Sequence, residues 1–188
     1  GLRDAFRFCV DRDYEVLVTL DCDGQHEPER IPELLAAVGD ADIVSGSRYL
    51  KQFKFDSAPP EDRRRINMEI TREINCRFGL NLTDGFCGFK AYRASALRKL
   101  EITEPGYGMP LELWVQAARL GLRIKEVPVP LIYLDENRAF GGSLDDANRR
   151  RAYYYEVIER ADRKAEGGGQ ERRRAGKAEG GERRPESQ

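Results

Sequence analysis

Histidine is almost missing from this chain, with one residue in 188. That scarcity excludes a histidine-rich metal centre. It leaves His26 as a loop side chain whose use as a general base needs a partner the sequence does not show. Cysteine is sparse too: Cys9, Cys22, Cys76 and Cys87 form no CxxC pair and no metal-ligand spacing with His26, so reduced thiols of a cytosolic protein are expected. No apolar run approaches the roughly 18 residues that span a bilayer, and no signal peptide is visible. The chain is therefore expected to be soluble or at most peripheral to a membrane. Neither sign of charge dominates, with 32 basic against 33 acidic residues and a net charge of -1. Bulk electrostatics thus argue against a nucleic-acid partner, and any phosphate must be held by local arginines. An initiator methionine is also lacking. The chain opens on Gly1 directly into an amphipathic pattern, as expected of a piece that begins inside a longer domain.

What is present is enough for a core. Hydrophobic residues make up 40% of the chain and charged residues 35%, the latter well above the roughly 25% usual in soluble domains. Part of that excess sits at the end: residues 164–188 are Gly, Glu and Arg with almost nothing apolar, and are expected to be a disordered tail. Residues 1–163 are expected to be one domain. Leu2 to Val10 space apolar residues at helical intervals, and Tyr14 to Leu20 form a short apolar run that suits a buried strand. A helix led by Pro28 and a strand over Asp42 to Ser45 follow. Then come an irregular stretch over 50–62, a helix from about Arg63 to Phe78 and an alternating strand over Phe86 to Arg93. Short and longer helices are expected over Ser95–Leu100 and Pro110–Leu120. Arg123–Val127 and Val129–Tyr133 suit edge strands punctuated by Pro128 and Pro130. A last helix spans about Ser143 to Arg163. Helix and strand alternate as in an α/β sheet with crossover connections.

Chemistry concentrates after the first strand, at Asp21-Cys22-Asp23-Gly24-Gln25-His26. In extended backbone, residues i and i+2 project to one side, so Asp21 and Asp23 offer paired hard oxygens where open α/β sheets place ligands. Mg²⁺ or Mn²⁺, held by one or two carboxylates plus substrate phosphates, fits such a pair. An ordinary acidic loop with an Asp cap is the plainer alternative. Gly24 lets the chain turn and bring the Gln25 amide round as a further ligand. Ser45 to Tyr49 ends the next strand with Arg48, whose fork matches phosphate oxygens. Arg63, Arg64 and Arg65 open a helix whose dipole disfavours cations, a conflict an anionic ligand would remove. Asp84 precedes a Gly-Phe turn and can bind sugar hydroxyls. Glu112 is either a first-turn helix acid or a base. Arg138 lies on a Gly-rich segment suited to closing over a ligand.

In this order, VLVTLDCDGQHEPERIPELL, DIVSGSRYL, LTDGFCGFKAYRASAL and IKEVPVPLIYLDENRAFGGS resemble glycosyltransferase family 2, of the polyprenol (dolichol) phosphate mannose synthase type, over about residues 1–160. The resemblance implies a GT-A fold, with a mixed, mostly parallel sheet flanked by helices. It implies that Asp21, Asp23 and Gln25 bind the metal and the donor diphosphate. Arg48, Arg138 and an arginine among Arg63 to Arg65 (Arg63 and Arg65 foremost) would surround the phosphates, and Asp84 would match the family's acidic residue. Asp23, Asp84 and Arg138 are the expected catalytic set. The family's first βαβ unit, which binds base and ribose, has no counterpart here.

The implied activity is metal-dependent, inverting transfer from a nucleotide-sugar donor in cell-envelope glycan synthesis, at the cytoplasmic face of the membrane. A hydroxyl acceptor, such as a saccharide, requires a positioned carboxylate to take its proton. A phosphate monoester, with a second pKa of about 6, is already anionic and needs only arginines. The abundance of arginines favours a polyprenyl phosphate acceptor. The alternatives are a hydroxyl acceptor with Asp84 or Glu112 as base, and a catalytically incompetent fragment.

Overall fold

The computed structural model describes residues 1–134 and 140–179, with side chains as far as Gly167. Ten elements follow in the order α1 Leu2–Asp11, β1 Val16–Thr19, α2 Ile31–Val38, β2 Ile43–Ser47, α3 Glu61–Phe78, β3 Lys90–Arg93, α4 Ala94–Leu97, α5 Met109–Arg119, β4 Ile124–Pro128 and α6 Ala147–Glu179. Single 3₁₀ turns at Pro28–Arg30 and Gly142–Asp145 lead into α2 and α6.

The strands lie in the order β1-β3-β2-β4. β3 runs antiparallel to both neighbours while β2 and β4 are parallel, so β1, β2 and β4 share one direction. The sheet is mixed, as expected. The insertion of a reversed β3 between β1 and β2 was not visible in the helix-strand cadence, because a single strand carries no mark of its direction.

Successive side chains of a strand face opposite ways, and here both faces are covered. Ile43 and Tyr92 point into a core shared with α1, α3, α5 and α6, where Ile70, Ile74, Leu111, Leu113, Trp114 and Ile158 are buried. Val44, Phe89 and Ala91 point the other way, onto Leu34 and Val38 of α2. A double-sided sheet explains why β2 is apolar or small throughout and shows no polar alternation.

Helix ends follow local chemistry. Gly79 caps α3 in the left-handed region at φ 68°, and its amide donates to the Asn75 carbonyl at 2.9 Å. Two expectations are corrected. Residues 129–134 form no strand, because Pro128 and Pro130 lack the amides a ladder needs; only β4 forms, at the sheet edge. The last helix does not stop near Arg163 but continues to Glu179. The added residues extend an already nucleated helix, in which Glu, Arg, Lys and Ala favour propagation and Gly167, Gly168, Gly169 and Gly176 oppose it. The expected tail lies partly in that helix, and its residues 180–188 fall outside the described ones.

Candidate functional site

The carboxyl ends of β1 and β2 open onto a cavity of about 400 Å³. Its wall includes Asp21, Asp23 and Gln25 on one side and Arg63, Arg64 and Asn67 of α3 on another, with Arg48, Tyr49, Phe86, Lys90, Tyr107, Tyr133 and Phe140 between. β1 ends at Thr19, so Asp21 lies beyond the ladder and Asp23 sits on a bend over residues 22–26 rather than on the extended backbone expected for the pair. The bend follows from Asp23 itself, whose Oδ1 accepts the Gln25 amide at 3.0 Å, and from Gly24 at φ 76°. Both carboxylates still line the same cavity.

Asp21 is pressed against backbone. A Cβ on Gly88 would stand 2.2 Å from Asp21 Oδ2, so only glycine leaves room for this carboxylate. His26 Nε2 lies 3.7 Å from the same oxygen, with the imidazole 95% buried and tilted against Phe89 at 5.4 Å between centroids. Two carboxylates and the Gln25 amide are hard oxygen donors, a set that suits Mg²⁺ or Mn²⁺ whose remaining positions are filled by phosphate and water. No cluster of three or more His, Cys, Asp or Glu side chains arranged for a metal occurs among the described residues. A cation here would therefore depend on oxygens brought by a ligand.

Arg48 and Asp84 come together, but not as expected. Asp84 is off the cavity wall, 1% exposed, and gripped by the Arg48 fork, with Nε–Oδ2 at 2.6 Å and Nη2–Oδ1 at 2.9 Å. The amides of Arg48 and Phe86 also donate to it, at 3.2 and 3.1 Å. With four donors on its two oxygens, Asp84 is neither turned towards a sugar hydroxyl nor suited to act as a base. Burial alone would raise its carboxyl. The adjacent guanidinium and these hydrogen bonds outweigh burial and hold it below the ordinary carboxylate range. Arg48 is kept firmly charged. The turn carrying Asp84 is fixed from β4, where Glu126 accepts the amides of Thr83 and Asp84 at 2.8 and 3.0 Å.

Glu112 is likewise removed from the cavity. It is 3% exposed and accepts the amides of Thr103 and Glu104 at 2.8 and 2.7 Å, plus the Thr103 hydroxyl at 2.8 Å. It holds the 101–104 loop onto α5.

The arginine triplet divides. Arg63 and Arg64 line the cavity and Arg65 does not. Consecutive helical residues are turned about 100° apart, so three in a row cannot share a face. Arg63 Nη1 donates to the Tyr133 hydroxyl at 2.6 Å, and its guanidinium stacks 4.5 Å from the Phe140 ring centroid. Arg150 covers the same ring at 4.7 Å while bonding Asp62 at 2.7 Å, which ties the start of α6 to the start of α3. Arg138 lies outside the described residues.

Lys90 was missed from the sequence. It is 2% exposed, yet reaches the cavity wall; its ammonium donates to the Cys87 carbonyl and sits 5.3 Å from the Trp114 ring centroid. Burial, the largest influence, lowers its pKa. The only signal available was a lysine inside an otherwise buried strand, where lysine is rare without a partner.

The sequence profile of Glycosyl transferase family 2 matches residues 2–101. An undecaprenyl-phosphate mannosyltransferase of Micrococcus luteus is 40% identical over 147 residues, covering 76% of this chain and 60% of that protein. A polyprenol monophosphomannose synthase of Mycolicibacterium smegmatis is 34% identical, covering 66% of this chain and 48% of that protein. A dolichyl-phosphate hexose transferase of Haloferax volcanii is also 34% identical, covering 63% and 50%. The chain thus spans less than two thirds of the length of each of these relatives.

Proposed function

Because this chain belongs to glycosyl transferase family 2, we propose that it carries the diphosphate- and acceptor-binding part of an inverting transferase that moves a sugar from a nucleotide-sugar to a polyprenyl phosphate. One observation carries the choice of acceptor. The two acids that would serve as bases, Asp84 and Glu112, are buried, saturated and off the cavity wall, whereas Arg63 and Arg64 are on it. A hydroxyl acceptor needs a base to take its proton. A phosphate monoester arrives ionised and needs only cations to hold it. The named activities of the polyprenyl- and dolichyl-phosphate relatives support the same choice. The cytoplasmic face of the membrane, where such a lipid meets soluble donors, is the proposed place of action. No described helix is long and apolar enough to cross a bilayer.

In this mechanism Asp21, Asp23 and the Gln25 side-chain amide, which share one side of the cavity, would hold a Mg²⁺ or Mn²⁺ ion beside the donor diphosphate. When bound, the ion neutralises charge growing on the departing nucleoside diphosphate. Arg63, steadied by the Tyr133 hydroxyl, and Arg64 hold the acceptor phosphate, with Arg138 proposed as a third cation from the family resemblance. An anionic phosphate oxygen then attacks the anomeric carbon as the bond to the diphosphate breaks on the opposite face. The sugar passes through an oxocarbenium-like state and no proton needs removal. Arg48 shapes the wall through its pair with Asp84, and buried Lys90 lines the same cavity.

Calorimetry with GDP and UDP, with and without Mn²⁺, tests the metal site on this chain and on Asp23→Ala. Metal-dependent binding that is at least tenfold weaker in the variant is expected. Equal binding by both would remove Asp23 from the site.

A further inference from the structure

Between Tyr49 and Pro59, both on the cavity wall, the chain makes an excursion that the transfer mechanism does not use. Its first half reads Leu-Lys-Gln-Phe-Lys-Phe over residues 50–55. Phe55 is 85% exposed, more than any other large apolar side chain among the described residues, and Leu50 is 44% exposed. Lys51 and Lys54 lie with their ammonium groups 5.2 and 5.4 Å from the ring centroids of Phe53 and Phe55.

The excursion is tied down at its root. Asp56, its one acid, accepts the Phe53 amide at 2.7 Å through Oδ2 and the Leu131 amide at 2.9 Å through Oδ1. Ser57 donates its amide to the Leu131 carbonyl at 2.7 Å, and its hydroxyl accepts the Tyr133 amide at 3.1 Å. The acid is thus turned inward and the two lysines outward. The nearest charge on the adjoining 3₁₀ turn, Arg30 over the Phe53 ring, is already paired with Glu27 at 2.5 Å and Glu33 at 3.2 Å. On a chain of net charge -1, this leaves a small positive, aromatic projection beside the cavity.

We propose that residues 50–55 are an insertion loop for an anionic lipid surface. Phe55 and Leu50 enter the headgroup region, and Lys51 and Lys54 reach the lipid phosphates while their stems stay with the rings. Because both ends of the loop are cavity wall, docking brings the cavity mouth to the depth at which a lipid-borne phosphate lies. Two lysines and one inserted ring give a weak, reversible attachment that serves as one signal of the two a stable anchor needs. The function of this surface presupposes the lipid-phosphate acceptor proposed above.

The test is cosedimentation of this chain with phosphatidylcholine vesicles, with and without phosphatidylglycerol, all free of polyprenyl phosphate so that the cavity contributes nothing. Binding should be detectable only with phosphatidylglycerol and should fall with added salt. Each lysine near such a surface strengthens binding about fivefold, so Lys51→Glu with Lys54→Glu should weaken it by on the order of 20-fold or more. Phe55→Ser should weaken it with charge unchanged. Far-UV circular dichroism and Mn²⁺-dependent GDP or UDP binding should match wild type in these variants, since none of the three residues lines the cavity. Binding that ignores phosphatidylglycerol, or that survives the double charge reversal, overturns the proposal. So does self-association without vesicles that Phe55→Ser abolishes, which would make the loop a contact between copies. Loss of nucleotide binding in wild type with vesicle binding intact would instead fail the transferase reading and leave the surface standing.

Discussion

Asp84 and Arg48 carry the clearest consequence at the scale of single residues. A buried ion pair is costly to break, because the survivor keeps its charge without its partner. Asp84→Asn should therefore lower stability by about 3–5 kcal/mol in a denaturant titration. Replacing both members, as Asp84→Leu with Arg48→Met, should recover a large part of that loss, because no orphan charge remains. The pair also sets an acid limit. Asp84 has a folded-state pKa below its unfolded value of about 3.9. Its contribution is therefore complete above that pH and is lost as pH falls towards the depressed folded value. Asp84→Leu with Arg48→Met should flatten this part of the pH–stability curve. A curve identical to that of wild type would show that the pair does not set the limit.

At the scale of elements, the cavity depends on turns held from neighbouring segments. Gly88 gives the backbone before β3 room to approach Asp21, and any Cβ there would fall well inside contact distance of its carboxylate. Gly88→Ala should weaken Mn²⁺-dependent nucleoside-diphosphate binding at least tenfold while the helical circular dichroism signal persists. Unchanged affinity would mean that the Asp21 position is not critical. The start of α3 allows a sharper contrast. Arg64→Ala should reduce transfer to a polyprenyl phosphate on the order of tenfold, whereas Arg65→Ala, one position on and turned off the wall, should leave it near wild type. Similar losses in both would point to general surface charge rather than to two specific contacts.

At the scale of the whole molecule, two apolar layers pack on either face of the sheet. A chelator should leave the apo melting temperature unchanged. Mn²⁺ with a nucleoside diphosphate should raise it, by about 2.7 kcal/mol of stabilisation at a ligand concentration 100 times the dissociation constant, and chelation should abolish that gain. A chelator-induced fall in the apo protein would reveal a structural ion instead.

The sequence by itself determined what local pattern can encode. Helical spacing placed α1 to α6 within a few residues of their starts, Gly79 and Gly121 marked helix ends, and the run of motifs from Asp21 onwards identified the family and the cavity's acidic side. Tertiary structure decided what depends on partners distant in the chain. The direction of β3 rests on pairing with β1 and β2, which a four-residue strand cannot announce. Asp84 looked like a ligand for a sugar until Arg48, 36 residues away, proved to occupy both its oxygens. Arg65 looked equivalent to its neighbours until the helix turned it off the cavity wall. Lys90 looked like one residue of an ordinary strand until burial against Trp114 and Cys87 set its ammonium at the cavity wall. A charge in sequence announces its sign. Whether that charge faces a ligand, a partner or the core is fixed only when the chain closes around it.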